Sequence, residues 1–222
     1  KRDRRQCLLF NNWGELMDDL SFWVSKNADF MPNKTAIRFE GQDITYSEFD
    51  RQIRIYARTL KHSFGVVPGD RVAFLGVNTP SLLYTFFACA RLGAIFSPLN
   101  WRLTPPEHRF MLQDSGAKLL ISDEEFRANA DTIRDDIPDC TLVANDFEDA
   151  AWRSLAAELA GSEGDDSNPD VTPDMPFMLV YTSGTTGRPK GAVLTQHNMQ
   201  IHAYNSVHYS QMSMHDHILT VL

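Results

Sequence analysis

A chain of 222 residues, 43% apolar and 23% charged, is long enough to bury one or two cores. Its formal net charge of −8 argues against a nucleic-acid partner, which would require a basic face. Cys7, Cys89 and Cys140 are odd in number and form no Cys-x-x-Cys pair, which fits a reducing, cytoplasmic setting.

The basic start Lys1-Arg2-Asp3-Arg4-Arg5 is followed by no long apolar run and reads as a solvated tail rather than a signal peptide. Apolar Leu16, Leu20, Trp23 and Val24 at helical spacing predict a helix over 13–28. Strands are expected at 36–39 and 44–46, with Gly41 turning between them. Ser47 is the expected cap of a helix whose apolar face is Phe49, Ile53, Tyr56 and Leu60. Pro68-Gly69-Asp70 signals a turn, and 71–77 a buried strand. Thr79-Pro80 starts a helix that stops at Gly93. Its stretch 82–90 is too short for a bilayer, which needs ~20 residues, and reads as a buried helix.

A strand at 94–99 is followed by Thr104-Pro105-Pro106-Glu107, a capping box opening a helix that ends at Gly116. Further strands are expected at 118–122 and 141–144, and helices at 124–135 and 152–159. Residues 161–170 are acidic and small and read as a linker. The expected organisation is an N-terminal α/β subdomain over 1–160, an acidic linker over 161–175, and the start of a second, incomplete subdomain over 176–222. There, strands at 177–181 and 192–195 flank a loop, and a helix follows over 198–209. Strand–helix alternation of this kind predicts an α/β fold: layered, mostly parallel sheets covered by helices. Ligands of such sheets sit at the carboxyl ends of the strands.

The run Tyr181-Thr182-Ser183-Gly184-Thr185-Thr186-Gly187-Arg188-Pro189-Lys190-Gly191 carries the chemistry. Gly184, Gly187 and Gly191 can take positive φ and bring backbone N–H groups close to an anion. Ser183, Thr185 and Thr186 add hydroxyls that can donate to phosphate or sit on magnesium. Lys190 adds a point charge and Pro189 stiffens the loop. The bland alternative is a polar surface turn, disfavoured by the flanking strands and the terminal lysine. The P-loop of NTPases is disfavoured too, because its four residues between glycines and its Gly-Lys-Ser/Thr ending are absent.

This run, continuing through Ala192-Val193-Leu194-Thr195 and Asn198, resembles the signature of the adenylate-forming enzymes, which include acyl-CoA synthetases and peptide-synthetase adenylation domains. Pro68-Gly69-Asp70-Arg71-Val72-Ala73, Leu92-Gly93-Ala94 and Pro98-Leu99-Asn100-Trp101-Arg102-Leu103 are similar to the N-terminal scaffold of the acyl-CoA synthetases. The family often has His-Arg before the asparagine, where this chain has Gln196-His197.

The resemblance implies the N-terminal part of that fold and an acid–thiol ligase. ATP would activate a fatty or aryl carboxylic acid as its adenylate, and coenzyme A would then take the acyl group. It places Thr182, Ser183, Gly184, Thr185, Thr186, Gly187 and Lys190 on the ATP phosphates, with Mg2+ at Thr186, and leaves a homodimer open as the assembly. No catalytic residue of the family falls within these residues. Its later motifs fall beyond Leu222, so the chain is expected to be an N-terminal fragment inactive alone. A different acceptor, or a non-catalytic nucleotide- or partner-binding module, are the alternatives. His215-Asp216-His217 suggests a metal, but alternation suits a strand with both rings on one face.

Overall fold

A computed structural model describes residues 19–182, 188–213 and 215–218. Helix α1 (Ser21–Phe30) precedes a hairpin of β1 (Thr35–Phe39) and β2 (Gln42–Thr45), and α2 (Tyr46–Arg58) follows. Then come β3 (Arg71–Leu75), α3 (Pro80–Leu92), β4 (Ile95–Leu99), α4 (Pro105–Ser115), β5 (Leu119–Ser122) and α5 (Glu124–Asp131). The chain continues through β6 (Thr141–Ala144), β7 (Arg153–Ser154), α6 (Leu155–Ala160), β8 (Pro176–Thr182), β9 (Lys190–Thr195) and α7 (Gln196–Tyr209).

Seven strands form one sheet in the order β7-β6-β5-β3-β4-β8-β9. Every neighbouring pair is parallel except β8 and β9, which run antiparallel. The strands alternate as a doubly covered sheet requires. Val72, Phe74, Leu119, Ile121 and Val143 join a core with α2, α3 and α6. Ala73, Leu75, Leu120, Leu142 and Ala144 join a second core with α4 and α5. A third cluster, Val24, Phe49 and Ile53, packs α1 and α2 against the hairpin.

The 82–90 stretch is a buried helix, as its composition demands. Phe86 stands edge-on to Phe87, Phe96 and Phe177 at 5.0, 5.6 and 4.7 Å. Gly93 ends α3 at φ 72°, where a side chain would be strained. The capping box of α4 forms: the Glu107 carboxylate accepts from the Thr104 N–H (2.8 Å) and hydroxyl (2.7 Å).

Several boundaries differ from the sequence reading. Helix α1 starts at Ser21, and residues 13–18 lie outside the described residues, as do Lys1 to Arg5. Thr45, not Ser47, caps α2, its hydroxyl accepting from Glu48 N at 3.2 Å. Helix α5 ends at Asp131, after which Arg134–Asp136 make a single 3-10 turn. Residues 153–154 extend along β6, so the helix expected from Trp152 starts at Leu155.

The acidic stretch is strapped to the fold. Lys61 Nζ donates to Asp165 Oδ2 (2.5 Å) and Ser167 O (2.9 Å), and Arg91 grips Asp166. Across it the sheet continues: Met178 of β8 pairs with Phe96 of β4, and Phe177 is fully buried.

Candidate functional site

In parallel strands, backbone direction decides which edge can hold a ligand. Strand β8 lies parallel beside β4, so its carboxyl end emerges on the same edge as those of β3, β4, β5 and β6. The hydroxyl- and glycine-rich loop leaves from that end. Ser183, Gly184, Thr185, Thr186 and Gly187 lie outside the described residues. Their frame is described. Thr182, the last residue of β8, faces Lys190, the first of β9. Both are exposed, and among the described residues no carboxylate pairs with Lys190. The Thr182 hydroxyl lies 3.5 Å from the Lys190 carbonyl oxygen, and a lysine without a carboxylate partner among the described residues, at the ligand edge, suits an anion.

The two strands carrying this frame are held by neighbours. Tyr181 reaches across to α4, its hydroxyl donating to Asp114 Oδ2 at 2.7 Å. Burial and that carboxylate push the phenol's pKa up, so it stays a donor. Gly191 does not take the positive φ that its place in the run allowed. It packs closely instead: a β-carbon there would lie 2.7 Å from Leu179 Cδ1, so the leucine side chain would have to shift. Thr195 and Asn198 form a reciprocal cap for α7. The Thr195 hydroxyl accepts from Asn198 N (3.1 Å), and Asn198 Oδ1 accepts from Thr195 N (3.0 Å).

Between them sits Gln196, wholly buried. Its Oε1 accepts from Leu20 N at 3.0 Å and its Nε2 donates to Ala90 O at 2.8 Å.

A cleft of about 610 Å³ opens at the carboxyl ends of β3 and β4. Gly76, Val77 and Asn78 form one wall, and Asn100, Trp101 and Arg102 the other. The Arg102 guanidinium lies 4.2 Å over the Trp101 ring, so this wall can stack a planar group and offer it a positive charge. Sequence reasoning placed Asn100, Trp101 and Arg102 only in the scaffold. Their position directly after a parallel strand was the signal that could have found them.

Both walls rest on buried polar groups. His108, 1% exposed, donates from Nε2 to Asn100 O at 2.9 Å, and burial lowers its pKa and keeps it neutral. Asp123 accepts from Val77 N (2.9 Å) and from Asn145 Nδ2 (2.7 Å). Asn145 Oδ1 accepts from Ser81 Oγ at 2.6 Å, and Ser81 meets Tyr56 OH at 3.0 Å. Burial raises the Asp123 pKa. The strand order reverses between β3 and β5, so Gly76 and Asp123 flank the switch point where such sheets bind ligands.

The histidine-rich end is a turn rather than a strand. Asp216 Oδ2 accepts from Ser213 N at 2.5 Å. Among the described residues no group of three His, Cys, Asp or Glu side chains could hold a metal. Cys89 and Cys140 are unpaired, and burial raises both thiols, Cys140 to about 12, so they are inert at neutral pH. Among the described residues no helix is long and apolar enough to cross a membrane.

The family pattern of the AMP-binding enzymes matches residues 24–222, nearly the whole chain. The chain belongs to the AMP-binding enzyme family. It is 45% identical over 206 residues to an indoleacetate–CoA ligase of Aromatoleum aromaticum, covering 92% of this chain and 40% of that protein. It is 40% identical over 171 residues to a fatty acid–[acyl-carrier-protein] ligase of Streptomyces coeruleorubidus, covering 77% of this chain and 32% of the other. The solved N-terminal domain of FACL13 from Mycobacterium tuberculosis superposes with a TM-score of 0.74 at 30% identity, over 87% of this chain and 48% of that one. This AMP-binding chain thus spans about 40% or less of the length of these curated relatives.

Proposed function

We propose that the protein carrying this chain activates a fatty or aryl carboxylic acid with ATP and passes the acyl group to coenzyme A. A carboxylate is a poor electrophile, because displacing its oxygen would release oxide. In the proposed reaction a carboxylate oxygen attacks the α-phosphorus of ATP, the bond to the β-phosphate breaks, and pyrophosphate leaves. The thiolate sulfur of coenzyme A then bonds to the acyl carbon of the adenylate, and AMP leaves with the acyl–oxygen bonding pair.

This chain's part is to hold the leaving pyrophosphate while charge builds on it. Thr182, Ser183, Gly184, Thr185, Thr186, Gly187 and Lys190 are assigned to the β- and γ-phosphates, and Thr186 to Mg2+, which would neutralise phosphate charge. One observation carries the reading: a family match over residues 24–222 whose loop leaves the ligand edge of the sheet between Thr182 and Lys190, which has no carboxylate partner among the described residues. The same reading divides the whole protein at 161–175, with 176–222 opening a further subdomain. A cytoplasmic setting and a homodimer go with it by resemblance.

The relative that loads an acyl-carrier protein favours a second reading, in which the adenylate is passed to a carrier thiol instead. Carboxylate-dependent ATP–pyrophosphate exchange, run with fatty, aryl and amino acids, tests the first half. Exchange with a fatty or aryl acid, followed by a thioester on adding coenzyme A, is the expected result. Exchange with a thioester only on a carrier protein selects the second reading. No exchange with any acid by the whole protein that carries this chain overturns both.

A further inference from the structure

Helix α7 has few apolar anchors, namely Tyr204, edge-on to the Trp23 ring of α1 at 5.6 Å, and the partly buried Met199 against the core, and β9 is held mainly by its backbone ladder to β8. In α7 only Gln196 and Gln200 are buried, and in β9 Lys190, Gly191, Ala192 and Val193 are exposed. Hydrophobic burial therefore does little to fix the strand that brings the chain back from the phosphate loop.

Gln196 supplies what packing does not. It is 0% exposed and uses both ends of its amide on groups far away in sequence. The N–H it accepts from belongs to Leu20, at the N-terminal boundary of α1, where helix donors lack intrahelical partners. The carbonyl it donates to belongs to Ala90, in the last turn of α3. At the same junction Gln196 N donates to Met175 O (3.1 Å) and His197 N to Pro173 O (2.7 Å), tying the chain leaving β9 to the chain entering β8. An uncharged side chain with both a donor and an acceptor serves both distant partners. Glutamate loses the donor and methionine loses both strong functions.

We propose that Gln196 is a positioning residue for the phosphate loop: it locks the β9–α7 junction onto α1 and α3, and thereby fixes Lys190 against Thr182. The kinetic consequence rests on the proposed adenylation; the mechanical one does not.

The test places Gln196→Glu and Gln196→Met in the whole protein that carries this chain and compares them with the unsubstituted whole protein by amide hydrogen exchange and by ATP–pyrophosphate exchange. Expected is faster amide exchange over 190–200 with β3, β4 and β5 unchanged, and a KM for ATP raised about fivefold or more with kcat less affected, the scale of one lost hydrogen bond. Unchanged protection over 190–200, or protection lost equally across β3 to β5, overturns the proposal. Should both variants fail to fold, Gln196→His at pH 8 decides it. A neutral imidazole keeps one donor and one acceptor, so protection over 190–200 should stay near that of the unsubstituted protein, and its selective loss there with ATP use unaltered overturns the role. If the unsubstituted protein shows no pyrophosphate exchange, the proposed function falls, and amide exchange still decides on Gln196.

Discussion

Arg91 holds Asp166 in a fork, its Nη2 and Nε lying 2.6 and 2.9 Å from Oδ1, with both side chains largely shielded from water. Arg91 also reaches Ser21 Oγ of α1 at 3.3 Å, and its neighbour Ala90 receives Gln196. The end of α3 is thus a hub where α1, the acidic segment and α7 meet. A stretch composed like a free linker is fixed there by charge.

Asp166→Asn should therefore loosen 161–170 more than it loosens the sheet. Charge-assisted bonds of this kind contribute about 2 kcal/mol. Limited proteolysis should cut 161–170 faster, and the unfolding free energy from urea denaturation should fall by an amount of that order, with a lower midpoint. Unchanged cleavage and midpoint would show that the strap is held by something else.

Gly76 sits where the chain leaves β3, and a β-carbon there would lie 2.3 Å from Asp123 Oδ2 and 2.6 Å from Phe74 Cε1. Neither neighbour can retreat: Asp123 is tied to Val77 and Asn145, and Phe74 is 1% exposed. Gly76→Ala is expected to destabilise the fold by about 2–3 kcal/mol, the range for overpacking a close-packed core. Chemical denaturation reads this directly, and a loss below a few tenths of a kcal/mol would mean that the turn relaxes freely.

His108 gives a pH dependence of definite sign. Burial lowers its folded pKa below the ordinary value of about 6.5, so the unfolded chain binds the proton more readily. Its contribution to stability is present above pH ~6.5 and is lost as pH falls from there through the lowered folded value. His108→Gln, which can still donate to Asn100 O, should flatten the thermal midpoint against pH below 6.5. A slope identical to that of the unsubstituted protein would assign the acid sensitivity to other groups.

The sheet and its helices were legible because local signals agreed with the global fold. Gly93, the Thr104–Glu107 capping box and the continuous apolar runs in 71–75 and 119–122 are each readable without distant partners. The starting points that moved did so where two signals compete locally: Thr45 and Ser47 are both good caps two residues apart, and pairing with β6 takes 153–154 out of the following helix. What stayed hidden depends on contacts between residues far apart in sequence. Nothing near Gln196 announces Leu20 or Ala90, and nothing near 165–166 announces Lys61 or Arg91. The loop was conspicuous by composition, whereas the Trp101–Arg102 wall is visible only once β4 is known to lie beside β3.

Lys190 and Tyr181 separate binding charge from framework. Lys190 opens β9, exposed and opposite Thr182, while Tyr181 anchors β8 to Asp114 of α4. Under the proposed adenylation, Lys190→Ala removes a charge-assisted contact to the phosphates and should raise the KM for ATP about 10- to 100-fold, with little loss of fold stability. Tyr181→Phe should cost about 1 kcal/mol of stability with a smaller effect on ATP use, because it removes one partly exposed hydrogen bond. Pyrophosphate-exchange kinetics and denaturant midpoints on both variants make the comparison. If Lys190→Ala shows unchanged ATP dependence, the lysine does not hold phosphate; if Tyr181→Phe matches its kinetic defect, the anchoring of β8, rather than the charge of Lys190, governs ATP use.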